Sequence, residues 1–232
     1  YTGAHALRTG WHYDDLYMNF INSRSMRGHR LRQNNAVEVY AYGRRLLCQA
    51  GAEPYSADHL PDSQKAQFQQ FYDYFGEPTT RSRNTIVIND LSQNAGAEML
   101  STVNTTIPGE YAISSNMDIV SGTFTAGYGS IMATHKRRIL FDKILKLWVI
   151  IDTIGNVTQS LHISQVWNFP PNNPSAKSPD GFAESAELFD SGNHRVFNNN
   201  GAQNTPIEII HPNKNVSYKK NYWTTSRVYR GW

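Results

Sequence analysis

Residues 36–48 read Ala36-Val37-Glu38-Val39-Tyr40-Ala41-Tyr42-Gly43-Arg44-Arg45-Leu46-Leu47-Cys48. Mostly β-branched, aromatic and small apolar residues precede Gly43, and a second apolar run follows the two arginines. Such runs on either side of a turn residue are typical of paired strands, and Gly43 supplies the backbone freedom that a tight turn needs. The stretch therefore predicts a β-hairpin.

Runs of the same kind recur along most of the chain. They predict strands near Ala4–Arg8, Leu16–Phe20, Ala36–Tyr42, Arg45–Cys48, Thr85–Ile88, Asp118–Val120, Ser130–Ala133, Arg137–Phe141, Trp148–Asp152, Ser160–Trp167, Arg195–Phe197, Ile207–Ile210 and Tyr222–Val228. Polar connections are predicted at Pro170–Gly181 and Asn198–Pro206. More than ten short strands indicate a large antiparallel β-sandwich, because such strands bury their apolar faces best between two sheets.

One short helix is predicted at Asp62–Phe75, where Pro61 stands at the entry and Gly76 follows the end. Its helical stripe, which suits core packing, consists of Gln67, Phe68, Phe71 and Phe75. The predicted fold class is thus all-β, a large antiparallel β-sandwich with one short helix. The 232 residues suffice for one good-sized core and not for two, so we expect a single domain over residues 1–232.

The composition restricts the possible functions. The 22 Lys and Arg exceed the 19 Asp and Glu by only three, too weak an excess to make nucleic acid the expected partner. The single cysteine, Cys48, excludes an intrachain disulfide and a cysteine-based zinc site, and its apolar neighbours indicate an inert core thiol. No apolar stretch approaches the roughly 18 residues of a membrane span.

Aromatic residues make up 12% of the chain and charged residues 18%, which is typical of a secreted or periplasmic β-protein. The chain opens with Tyr1 and shows no signal-peptide pattern, so we expect a processed piece or a fragment.

Residues 23–32 form a basic segment with four arginines and a histidine, and no acid lies between Asp15 and Glu38. Arginine forks match the geometry of carboxylate and sulfate groups, so the segment suits an acidic polysaccharide. A solvated basic loop whose charges meet acids elsewhere in the fold is the alternative, and composition alone favours it.

Several segments, taken in order, resemble one family. They are Ala6–Trp11 with Leu16–Phe20, Gly28–Gly51, Arg83–Gln93, His135–Phe141 and Trp148–Asp152. They are similar to the C-terminal β-domain of heparinase II/III-like polysaccharide lyases, a group that includes oligoalginate lyases. The resemblance covers residues 4 to about 170 and is fairly specific, because both the order and the spacing of the motifs agree.

The resemblance implies a function that involves more than this chain. In the family, a larger helical toroid packs beside the β-domain, and the active site between them cleaves uronate-containing polysaccharides by β-elimination. His29 matches the histidine that the β-domain contributes, and Tyr55 and Tyr72 are weaker candidates for a catalytic tyrosine. The residues expected near the anionic sugar are Arg30, Arg32, Arg83 and Asn84.

The sequence departs from the family at three positions that bind a structural zinc ion in other members. Leu31, Gln49 and Arg83 replace two histidines and an aspartate. We therefore expect no zinc and no other cofactor. Gln49 avoids an uncompensated buried carboxylate, and the Arg83 guanidinium is expected to hydrogen-bond Gln49 or a loop carbonyl.

These observations leave two functions open. The first is the β-domain of a lyase completed by a toroid on the same or another chain. The second is a catalytically inactive, lyase-like sandwich that binds acidic glycans or serves as a structural or assembly domain. A virion or fibre sandwich would share the strand-rich composition but would not explain the ordered motifs.

Overall fold

The computed structural model describes residues 4–22, 31–49, 61–63, 65–66, 69, 73, 79–94, 101–103, 109–168, 186–190, 195–200 and 203–205. The strands within these ranges are Ala4–Arg8 (β1), Tyr17–Ile21 (β2), Ala36–Ala41 (β3), Arg44–Leu47 (β4), Ile86–Ile88 (β5), Ser101–Val103 (β6), Tyr111–Ile113 (β7), Met117–Phe124 (β8), Thr134–Asp142 (β9), Leu147–Gly155 (β10), Ile163–Gln165 (β11), Ala186–Asp190 (β12), Arg195–Asn200 (β13) and Gln203–Thr205 (β14). A 3-10 helix spans Thr80–Ser82.

The strands form antiparallel sheets. The first sheet has the order β1-β2-β3-β4, and the second has the order β10-β9-β8-β6 with β7 also pairing with β8. There are two smaller sheets. One pairs β11 with β5, and the other has the strand order β12-β13-β14.

The first two sheets share one hydrophobic core. Burial alternates along β9, so every second side chain points inward, as expected for a strand with one face in the core. The shared core cluster consists of Leu7, Leu16, Met18, Phe20, Val37, Val39, Ala41, Leu46 and Leu47 from the first sheet and its loops and Val120, Ile139 and Phe141 from the second. This arrangement confirms the predicted all-β antiparallel sandwich.

The hairpin predicted around Gly43 is present between β3 and β4. Tyr42 and Gly43 both have positive φ angles, 53° and 71°, as the two central residues of a type I′ turn require. Of the predicted helix, the described residues are all helical: Asp62, Ser63, Lys65, Ala66, Gln69 and Asp73. The apolar stripe of that helix lies outside the described residues.

Two sequence predictions were wrong. Ser130–Ala133 is not a strand, because Tyr128 and Ile131 exchange backbone hydrogen bonds of 2.7 and 2.9 Å around a turn in which Gly129 has a φ of 57°. The connection predicted at Asn198–Pro206 contains the end of β13 and all of β14, which pair as a hairpin.

The strands predicted at Ile207–Ile210 and Tyr222–Val228, and the connection at Pro170–Gly181, lie outside the described residues. Cys48 is buried, and this burial raises the pKa of its thiol to about 12, as expected of an inert core thiol. In the part of the chain that is described, no helix is long and apolar enough to cross a membrane.

Candidate functional site

The described part of the predicted site lies where β3 begins, β4 ends and the 3-10 helix leads into β5. We call Arg32, Gln49, Arg83 and Asn84 the Arg83 cluster. The Thr80 hydroxyl donates a hydrogen bond of 3.1 Å to the backbone carbonyl of Arg32, which ties this segment to the 3-10 helix. The Arg32 side chain is half-buried and makes no hydrogen bond or ion pair to the residues that the structure describes.

Arg83 and Gln49 contact each other directly. The Arg83 Nη1 donates a hydrogen bond of 2.9 Å to the Gln49 Oε1, which confirms the contact predicted from the sequence. Arg83 is only 3% exposed, so its positive charge is held behind the surface. The Gln49 Nε2 is buried and has no hydrogen-bond partner within the described residues, which leaves one amide donor of the cluster uncommitted.

Asn84, which the resemblance places near the anionic sugar, makes buried hydrogen bonds to three other segments. Its amide nitrogen donates to the carbonyls of Val37 at 2.8 Å and Cys48 at 3.1 Å, and its oxygen accepts a 2.6 Å bond from the Asn168 backbone. The side chain is 0% exposed, and these bonds use its amide. Asn84 thereby joins β3, the end of β4 and the segment after β11.

A buried ion pair connects the second sheet to this cluster. Arg137 on β9 and Asp152 on β10 face each other in the strand register and form a bidentate pair with N–O distances of 2.7 and 2.8 Å. The Arg137 Nη1 also donates to the backbone carbonyls of Asn84 at 2.7 Å and Asn35 at 2.8 Å. The Arg137 guanidinium therefore holds the backbone of Asn84, a member of the Arg83 cluster, in place.

His135 completes this network. Its Nε2 lies 2.8 Å from the Asp152 Oδ1, and the Nδ1 is buried without a partner among the described residues. Burial lowers the pKa of His135, and the hydrogen bond to Asp152 opposes that shift only in part. Burial alone raises the pKa of Asp152, but Arg137 and the hydrogen bonds from both partners hold it well below its usual range.

His135, Arg137 and Asp152 lie in segments that carry the family resemblance, but no functional role was predicted for them from the sequence. The alternation along β9 places His135 and Arg137 on the same face as Ile139 and Phe141, and this pattern is visible in the sequence. The partner, however, is set by the β9–β10 register, which places Asp152 opposite Arg137.

The three positions of the family's zinc site do not suit a metal ion. Leu31 has no donor atom, the Arg83 guanidinium stays protonated, and the Gln49 oxygen already accepts a hydrogen bond from Arg83. Within the described ranges, no group of three or more His, Cys, Asp or Glu side chains has the geometry of a metal site.

The remaining predicted site residues, His29, Arg30, Tyr55 and Tyr72, lie outside the described residues. Of the predicted set, the structure brings Arg32, Arg83 and Asn84 to one region. Because Arg32 is the last residue of the basic segment 23–32, which also contains His29, the cluster includes the end of that segment.

Comparison with known proteins agrees with this fold. The sequence model of the family described as heparinase II/III-like, C-terminal, matches residues 3–202. The heparan sulfate lyase HepC from Pedobacter heparinus has a similar structure, with a TM-score of 0.61 and 20% identity over 85% of this chain and 26% of that chain. A heparinase III structure gives a TM-score of 0.60 and 14% identity over 84% of this chain and 25% of that one.

At these identities the structural likeness shows the fold alone. The chain spans about a quarter of the length of these solved structures, 26% and 25%. No curated protein sequence gives a significant match. The family match extends over the segments that build both main sheets and the Arg83 cluster, and the protein belongs to the heparinase II/III-like C-terminal family.

Proposed function

We propose that this chain is the β-domain of a polysaccharide lyase that cleaves an acidic, uronate-containing polysaccharide by β-elimination. A helical toroid outside this chain, on the same or another polypeptide, completes the active site. The observation that carries the proposal is the family match over residues 3–202.

The reaction requires three functions. A cationic or hydrogen-bonding group neutralises the uronate carboxylate, so that a base removes the proton from the neighbouring carbon. The electron pair of that C–H bond forms a carbon–carbon double bond, the glycosidic C–O bond breaks, and an acid protonates the leaving oxygen. No oxidant, reductant or water is consumed, and one product carries an unsaturated uronate.

In this proposal His29 acts as the acid or base, or neutralises the carboxylate. Arg32, which is half-buried and has no partner among the described residues, contacts the anionic sugar together with Arg30. Arg83 acts from a buried position, because a cation that is 3% exposed raises the local positive potential without leaving its bond to Gln49. Tyr55 and Tyr72 remain candidates for the catalytic tyrosine.

Two further expectations belong to this proposal. The protein binds no structural zinc, because an arginine and a glutamine join through a hydrogen bond at two of the three ligand positions. The protein acts outside the cytoplasm, in the secreted or periplasmic space, where acidic polysaccharides are met. Stoichiometric zinc in the purified protein, measured by elemental analysis, would contradict the first expectation.

The alternative is a catalytically inactive sandwich that binds acidic glycans or serves in assembly. The replacement of the residues at all three zinc-ligand positions favours the inactive sandwich, because a protein without catalytic activity does not need a metal site that supports an active site.

The test compares His29→Ala with the unaltered protein in the natural gene product that contains this chain. Removing an acid–base group lowers kcat by about 10²- to 10⁴-fold. Formation of unsaturated uronate is followed by absorbance on heparin and alginate. Lys136→Gln, on the outer side of the second sheet, is the control and leaves activity unchanged. Equal rates for His29→Ala and the unaltered protein would remove His29 from the mechanism.

A further inference from the structure

The outer side of the first sheet carries a row of aromatic and arginine side chains. Arg8, Tyr17, Tyr40 and Arg45 are consecutive cross-strand partners on β1, β2, β3 and β4. Trp11, in the loop between β1 and β2, stands beside the row. We call these five residues the aromatic–arginine face.

Contacts within this face join its members. The Tyr17 and Tyr40 rings meet edge to face with centroids 5.9 Å apart, and the Arg45 guanidinium lies 5.2 Å from the Tyr40 centroid. The Arg8 guanidinium stacks on the Trp11 ring at 3.4 Å from its centroid. Such contacts hold the arginine side chains in place, so that less conformational entropy is lost when they bind a ligand.

This face points away from the core. Leu7, Met18 and Val39 alternate with the row along their strands and are buried, so the row lies on the opposite side of the sheet. Trp11 is 77% exposed, which is unusual for the largest apolar side chain.

The loop that presents Trp11 is braced by its own hydrogen bonds. The Asp15 carboxylate accepts bonds from the Thr9 hydroxyl at 2.9 Å and the His12 backbone at 2.6 Å. The Thr9 hydroxyl in turn accepts a bond of 3.1 Å from the Leu16 backbone. The loop therefore offers Trp11 in a defined position, and exposure of the ring is part of the folded structure.

The chemistry of this face fits an acidic sugar chain. Flat aromatic rings suit the apolar faces of pyranose rings, and arginine forks pair with carboxylates and sulfates. Arg8 and Arg45 share this side of the sheet with Glu38, and the Trp11 loop adds Asp14 and Asp15, whose carboxylate already accepts bonds from Thr9 and the His12 backbone. Lys146 adds a cation at 6.0 Å from the Tyr42 ring, next to the β3–β4 turn.

The location separates this face from the proposed active site. The row lies where β2 begins and β3 ends, whereas His29 belongs to the connection between the end of β2 and the start of β3. The five residues of β2 place about 13 Å of strand between the two ends.

We propose that the aromatic–arginine face is a second binding surface for acidic polysaccharide, separate from the catalytic site. Trp11 stacks on a sugar ring, and Arg8 and Arg45 pair with the carboxylates or sulfates of neighbouring units. This inference does not depend on lyase activity. All five residues of the face belong to this chain, and none of them is a proposed catalytic residue.

The test measures binding of the 232-residue chain to heparin, alginate and neutral dextran oligosaccharides by isothermal titration calorimetry. Two variants alter the face, Arg8→Gln/Arg45→Gln and Trp11→Ala. The matched control, Lys136→Gln/Arg138→Gln, removes the same charge from the outer side of the second sheet. Thermal unfolding verifies that each variant is folded, and the exposed position of Trp11 makes its variant the safest for the fold.

We expect binding to an acidic oligosaccharide and none to dextran. Each face variant raises Kd by about tenfold or more, equivalent to about 1.4 kcal/mol, and the control changes Kd by less than about twofold. Equal weakening by both double variants would show unspecific charge attraction and overturn the proposal, as would absence of binding. If the chain binds in this way while the natural protein that contains it, toroid included, forms no unsaturated uronate, the proposed function is refuted and this inference stands.

Discussion

Among single residues, Asp152 carries the most consequential contacts of the described network. It pairs with Arg137, which is 0% exposed, and accepts further bonds from His135 and Gln165 at 2.8 Å each. Substituting Asp152→Asn keeps the shape but leaves the Arg137 charge buried without its counter-ion. We expect the free energy of unfolding to fall by about 3–5 kcal/mol, measured by urea denaturation.

Asp90→Asn is the matched control for this prediction. Asp90 also pairs with an arginine, Arg81, but its side chain is 70% exposed. Water already solvates such a pair, so this substitution costs less than about 1 kcal/mol. Similar losses in the two variants would contradict the structural role assigned to the buried pair.

His135 makes stability depend on pH. Burial lowers its pKa, so the unfolded chain, with an ordinary histidine pKa of about 6.5, takes up a proton at a higher pH than the folded protein does. Stability therefore falls as pH decreases below about 6.5, by at most about 1.4 kcal/mol per pH unit for one proton. His135→Gln removes the titrating imidazole and retains a hydrogen-bond donor, and we expect it to reduce this slope between pH 7 and pH 5.

Urea denaturation at several pH values checks this prediction. Burial also lowers the pKa of His5, but His5 is present in both proteins and contributes equally to the slope. Asp152 acts in a lower range, because its stabilising contribution is complete above the unfolded pKa of about 3.9 and is lost as pH falls below that value. An unchanged slope in His135→Gln would show that His135 does not control the effect.

Among the secondary-structure elements, the β3–β4 hairpin depends most clearly on a single glycine. Gly43 has a φ of 71°, and a Cβ there would overlap the Tyr13 ring. Gly109 has a similar φ of 75°, but an added Cβ there would meet no close atom. The nearest is an Arg138 nitrogen at 3.7 Å. Gly109→Ala therefore measures the backbone strain alone, about 1–2 kcal/mol.

Gly43→Ala is expected to cost about as much as Gly109→Ala, because both residues have a positive φ and the Tyr13 ring, which is 77% exposed, is free to turn away from an added Cβ. The unaltered protein, Gly43→Ala, Tyr13→Ala and Gly43→Ala/Tyr13→Ala form a double-mutant cycle, measured by thermal or urea unfolding, that isolates the cost of moving the ring. A cost for Gly43→Ala well below that of Gly109→Ala would contradict the strained turn between β3 and β4.

The same elements show what the sequence predicts and what it does not. The strands of the core, such as β1 and β9, were predicted because apolar residues recur at the strand period. The missed strands β6, β7, β12 and β14 are short, and β7 is exposed, so their pairing depends on neighbouring strands more than on their own sequence. The turn at Gly129 was missed because its apolar neighbours resembled a strand.

In the candidate site, one predicted contact, between Arg83 and Gln49, is present. The Arg83–Gln49 contact followed from comparing residue chemistry at three positions that the family resemblance grouped together. The buried role of Asn84 did not follow, because its partners Val37, Cys48 and Asn168 lie far from it in the sequence. Local patterns report which face a side chain occupies, and distant backbone partners determine whether it stays available to a ligand.

Across the whole molecule, the two proposed binding regions lie at opposite ends of the first sheet. The Arg83 cluster includes the end of the basic segment 23–32, and the aromatic–arginine face lies at the start of β2 and the end of β3. A polysaccharide is long enough to engage both, so the second region would raise the local concentration of substrate near the first. The whole-molecule account therefore predicts a lyase that prefers long chains to short oligosaccharides.

The most direct test of the account is the mass of the products released from heparin or alginate by the natural protein that contains this chain. β-Elimination adds no water, so we predict fragments that each lack one water relative to hydrolysis products and that absorb as unsaturated uronates. Fragments with the masses of hydrolysis products, or intact polysaccharide after prolonged incubation with the folded protein, would contradict the assignment as a lyase.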